Sequence, residues 1–146
     1  GHERRKAVIS RATLRILLAI WVAWHFAFGV LATFAPAKGA RLSGWEPEGG
    51  WSGDMLALST QYGMVMLLLA LIYAVALIDP LRYIRVLWVA IVEQVFGIAY
   101  AVYIYLGIGN VTLAQIGIQS VINIVLIALL VTFWLRFRDA SGQTAN

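Results

Sequence analysis

The sequence predicts an all-α, polytopic membrane protein: an antiparallel bundle of four transmembrane helices. Three observations carry this. Apolar residues make up 62% of the 146-residue chain, against about 45–50% in soluble globular proteins, and a soluble chain of this length has no interior able to hide that much apolar surface. Charged residues make up 12%, about half the usual share, and they gather in short clusters. Between those clusters lie four long apolar stretches, each reaching the roughly 20 residues that cross about 30 Å of hydrocarbon.

Taken in order, the first span runs from Leu14 to Phe34. The basic Arg4-Arg5-Lys6 before it and Ala35-Pro36-Ala37 after it look like the flanks of a signal peptide. A cleavable apolar core is only about 7–15 residues long, however, so this longer run is expected to stay as a membrane helix. The second span, Met55 to Ile78, carries no charge. The third, Val86 to Leu106, is interrupted only by Glu93, and the fourth, Val111 to Leu135, is again uncharged. Strands are disfavoured because the runs are too long and do not alternate apolar with polar. Pro36, Pro47 and Pro80 all fall between the spans, where they avoid the roughly 3 kcal/mol cost of proline inside a helix.

The connections differ in length. Residues 35–54 form a long, glycine-rich and flexible outer loop, whereas Asp79–Arg82 and Gly107–Asn110 are short. Short connections force antiparallel neighbours, so spans two to four should run up and down within one domain, 1–146. Orientation follows from Lys and Arg, which concentrate in cytoplasmic segments. Arg4, Arg5, Lys6, Arg11, Arg15, Arg82, Arg85, Arg136 and Arg138 fall on one side, and only Lys38 and Arg41 on the other. Both termini are therefore expected in the cytoplasm. Tyr83, Trp88, Trp134 and Phe137 would mark the inner interface, and Phe34 and Tyr105 the outer. The net charge of +4 sits at helix ends, facing lipid headgroups. No basic face interleaved with aromatics exists, so nucleic acid is not an expected partner.

Several residues could carry chemistry. Glu93 lies about 10 Å inside the third span, where a carboxylate costs several kcal/mol unless it is neutral, paired or hydrated. Ala90, Gly97 and Ala101 share its stripe, and such small residues permit close helix approach. Gln94, beside it, should point about 100° away. His25 is the histidine of the first span. Its readings are ligation of a pigment or haem, a hydrogen bond to a quinone, or a neutral imidazole bonded to a neighbouring helix. Gln115, Gln119 and Asn123 step along one face of the fourth span. By depth, Asn123 falls near both His25 and Glu93, so a polar network through the bundle is geometrically allowed, with Gln61 and Tyr62 at its outer end. Each of these residues also has a purely structural reading, as a hydrogen bond between helices. In the outer loop, Trp45 and Trp51 flank Glu46 and Glu48, either as interfacial anchors or as a lid or docking surface.

No zinc-protease motif, phosphate-cradling glycine loop or nucleophile elbow occurs. With no cysteine in the chain, disulfides and thiolate metal sites are excluded. No catalytic residue, metal site or required cofactor is assigned, a bound quinone or pigment staying open, and the expectation leans away from an enzyme. Neither an internal repeat nor a proline-interrupted span marks a transporter.

The stretch Gln61-Tyr62-Gly63-Met64, through Ala76-Leu77-Ile78-Asp79-Pro80-Leu81-Arg82-Tyr83 to Glu93-Gln94, resembles small four-helix bacterial membrane proteins of the BphX-like and DoxX-like kind. Their second inner turn often reads Asp-Pro-x-Arg, with an acid or glutamine in the next helix. The resemblance covers about half the chain and implies the four-helix architecture and a bacterial inner membrane. In residue chemistry alone, the chain is also similar to sterol-isomerase and sigma-2-receptor-like bundles, which place acidic and histidine side chains in a helical cavity. Two functions follow as expectations. One is a non-catalytic accessory subunit that binds other membrane proteins or its own copies. The other is an intramembrane site, isomerase-like or purely binding, for a lipid, quinone or sterol-like molecule.

Overall fold

A computed structural model describes residues 10–44, 46–109 and 111–139. Among these described residues five α-helices form: α1 (Arg11–Phe34), α2 (Pro36–Leu42), α3 (Gly53–Ile78), α4 (Val86–Tyr103) and α5 (Leu113–Phe137). A π-helical turn, Ile104–Ile108, extends α4. Four of these helices are long and apolar enough to cross a membrane, at Arg11–Phe34, Gly53–Ile78, Val86–Gly107 and Leu113–Phe137. The expected spans of 14–34, 55–78, 86–106 and 111–135 lie on them.

Each helix end has a local cause. Ser10 caps α1 by accepting from the Thr13 amide, while the Thr13 hydroxyl accepts from the Ser10 amide. Ser52 caps α3 through the Met55 amide at 3.2 Å. Such caps satisfy amides that the first helical turn leaves unpaired. Between α1 and α2 the chain leaves the helical region at Ala35 (φ −142°, ψ 59°), because the ring of Pro36 disfavours that region for the residue before it. Proline at the first position of α2 is then harmless, since that amide would have no helical partner. The short helix α2 is a departure from the expected flexible loop over 35–54. Pro36 starts it, and the buried Gly39 lets it lie against Leu31, where a Cβ on Gly39 would stand 3.1 Å from the Leu31 Cβ.

The chain divides into two compact units, separated after Pro80. In the first, α1 and α3 run antiparallel. Gly29 meets Gly63 near one end of the pair, and Trp21 meets Tyr73 further along. The buried residues of α1 are Leu14, Leu18, Trp21, His25 and Gly29, a stripe at steps of three and four that fits one helix face. The closest approach is at the glycines. A Cβ on Gly63 would lie 2.7 Å from both the Gly29 carbonyl oxygen and the Thr33 amide nitrogen, and would collide with the Thr33 hydroxyl. Beside it, the Ser59 hydroxyl donates to the Ala32 carbonyl at 2.8 Å, a bond between the helices.

In the second unit, α4 and α5 pair antiparallel, with Gly97 opposite Asn123 and Trp88 opposite Trp134. The tryptophan rings meet edge-on at 5.6 Å. Arg82 lies over Tyr83 at 5.5 Å and Arg136 over Phe137 at 6.0 Å. These aromatic and cationic pairs gather at the end of the hairpin where interfacial anchors were expected, a placement that suits rings with one wet and one apolar side.

Candidate functional site

His25 is almost fully buried, with 1% of its surface exposed. Its Nδ1 lies 2.8 Å from the Trp21 carbonyl oxygen, one helical turn back. A carbonyl only accepts, so Nδ1 is the donor in this bond. The ring stands 5.0 Å from Tyr73 and 6.0 Å from Trp21, and the Trp21 and Tyr73 rings meet edge-on at 6.3 Å. Three aromatic rings thus pack into the seam between α1 and α3. One donor is left over: the indole Nε1 of Trp21 is buried without a hydrogen-bond partner.

The second cluster lies between α4 and α5. Asn123 is buried, and its Nδ2 lies 2.8 Å from where a Cβ on Gly97 would stand. The glycine therefore makes room for the amide. Gln119 donates from Nε2 to Asn123 Oδ1 at 3.2 Å, which leaves Asn123 Nδ2 buried and unpartnered. The expected polar stripe on α5 is real but shorter than its sequence spacing implied. Gln115 belongs to the helix cap: its Oε1 accepts from the Thr112 backbone amide at 3.0 Å, and its own backbone amide donates to the Thr112 hydroxyl at 3.2 Å.

Glu93 is half-buried on α4, and its neighbour Gln94 is buried. Gln94, expected about 100° from Glu93 around the helix, is the more buried of the two. Leu87, Ala90, Ile91, Gln94 and Ala101 form the buried face of α4, and the stripe through Glu93, Gly97 and Ala101 runs along its flank. Both stripes share Ala90 and Ala101, so small residues alone left the rotation open. The bulky Leu87 and Ile91, a turn or two before Gln94, were the signal that favours the first.

Gln61 and Tyr62 are exposed on α3. In the outer loop, Trp51 is half-buried and Pro47 buried, while Trp45 lies outside the described residues. A turn closes after Pro47, whose carbonyl accepts from the Gly50 amide at 3.2 Å, with Gly49 at φ +78°. The expected network drew on residues of both units. Within the first unit His25 is brought to Trp21 and Tyr73; within the second, Asn123 is brought to Gln119 and Gly97.

These features define the class: an all-α protein with four membrane-spanning helices whose buried polar side chains lie in the helix seams. No family model, curated protein or solved structure matches the chain.

Proposed function

We propose that the chain is a non-catalytic interaction subunit of a larger assembly in a bacterial cytoplasmic membrane, with both termini in the cytoplasm. Gln61 carries this reading. It lies about 12 Å from the N-terminal end of α3 by the helical rise, on an exposed face, and its side chain makes no hydrogen bond among the described residues. Hydrocarbon offers an amide no partner, and leaving it there is costly. Glutamines within spans instead bridge helices, so Gln61 calls for a protein surface against α3. Exposed aromatics on α1 and α4, among them Trp24, Phe26, Phe96 and Tyr100, suit the same role. The orientation follows from the distribution of Lys and Arg.

Gentle extraction from native membranes tests the reading. Stoichiometric protein partners should accompany the wild-type chain and be lost from Gln61→Leu. A chain that leaves the membrane alone in both forms would contradict it.

A second reading is favoured by the two orphan donors, Trp21 Nε1 and Asn123 Nδ2. Each lies in the seam of its own hairpin. A lipid, quinone or sterol-like molecule with a carbonyl or hydroxyl oxygen would supply the acceptor that either lacks. An isoprenoid or steroid extracted in stoichiometric amount would favour this reading over the first.

A further inference from the structure

The exposed side of α3 is patterned, and the pattern names a partner for the interaction reading on which this inference rests. Leu58, Gln61, Val65, Leu68, Ile72 and Val75 are all exposed. Their spacing alternates three, four, three, four, three. This is the a/d repeat of a helix that packs along a left-handed seam, the commonest crossing in membrane bundles. Of the buried residues of α3, Gly63, Met66, Ala70 and Tyr73 lie on the other side of the helix, and Ala76 lies at the boundary between the two sides. One helix thus carries two seams, the inner one filled by α1.

Apolar side chains alone would not bring a partner, because lipid covers them equally well. Gln61 is the single polar member of the outer seam. A lone polar residue at a seam position specifies register and the number of chains. We propose that the outer seam of α3 is a parallel homodimer interface in which Gln61 of each copy hydrogen-bonds its counterpart in the other. Two copies inserted by the same rule share one orientation, which brings identical positions to one depth. A carboxamide both donates and accepts, so a two-fold pair satisfies both groups at once, as an isologous interface requires. From Leu58 to Val75 the seam carries no charge, so two copies meet without like-charge repulsion.

The chain has no cysteine, which makes single-cysteine variants clean probes of the full-length protein in native membranes. Oxidation should link two copies through Leu58→Cys, Val65→Cys, Leu68→Cys and Ile72→Cys. The exposed but off-seam Met64→Cys and Leu71→Cys should link weakly. Adding Gln61→Leu should lower dimer association by about 5- to 30-fold, the range expected for a strong interhelical amide pair. Equal linking on and off the seam, or linking unaffected by Gln61→Leu, would overturn the proposal. A photo-reactive residue at Val65 separates this result from the broader reading. An adduct of two identical chains supports the homodimer. An adduct with a different protein overturns self-pairing and leaves the interaction reading standing, and adducts with lipid alone overturn both.

Discussion

Replacing Gly63 by alanine tests the packing of the first hairpin at its tightest point. The added methyl would stand 2.7 Å from the Gly29 carbonyl oxygen and the Thr33 amide nitrogen. Both are backbone atoms and cannot swing aside, so α1 and α3 must separate. Overpacking of this kind costs about 1–3 kcal/mol. Separation also stretches the 2.8 Å bond from Ser59 to Ala32, a membrane hydrogen bond of about 0.6 kcal/mol. Against this stands the gain of about 0.5–1 kcal/mol when alanine replaces glycine in a helix. The net loss is about 1–2 kcal/mol. Gly117→Ala is the matched control, because nothing lies within 4 Å of its Cβ position and only the helical gain applies. Reversible denaturation in mixed detergent should separate the two variants by about 2 kcal/mol, roughly a 30-fold difference in the unfolding equilibrium. Equal stability would refute the close approach of the two helices.

Other outcomes follow from the same reasoning. Thr112→Ala removes the cap of α5 and should lower stability by about 1 kcal/mol in the same assay. Thr132→Ala should be near neutral, since that hydroxyl only bonds back to the Ala128 carbonyl within its own helix. Ser52→Cys should react with an impermeant thiol reagent on intact cells if the proposed orientation, drawn from the Lys and Arg distribution, holds; reaction only after membrane disruption would reverse the topology. Glu93→Gln keeps shape and hydrogen-bonding capacity, so the protein should insert and denature within about 1 kcal/mol of wild type. Failure to insert would show that the carboxylate charge itself holds the fold.

The spans were legible because hydrocarbon imposes one simple demand, a long apolar run, which Met55–Ile78 and Val111–Leu135 meet without a charge. Helix α2 was not, since its seven residues carry two alanines and a glycine and no apolar period; the proline that starts it and the glycine that docks it act through local geometry. Rotation was the harder problem. Glu93 and Gln94 are adjacent and point about 100° apart; the small residues Ala90 and Ala101 suit either rotation, and the bulky Leu87 and Ile91 share the buried face with Gln94. His25 was legible as an inward residue, yet its bond to the Trp21 carbonyl and its contact with Tyr73 depend on a register between α1 and α3 set by Gly29 and Gly63. Gln115 shows the opposite error of pattern: three polar residues at equal steps suggested one function, and the first of them belongs to a helix cap.

The most direct test of the central proposal, an interaction subunit and not a ligand-binding one, is a native mass spectrum of the protein released from its own membranes. The predicted result is a complex containing more than one 16.1 kDa chain or that chain with a stoichiometric protein partner, falling apart when Gln61 is replaced by leucine. A single chain carrying one isoprenoid- or steroid-sized molecule, unaffected by that replacement, would contradict it.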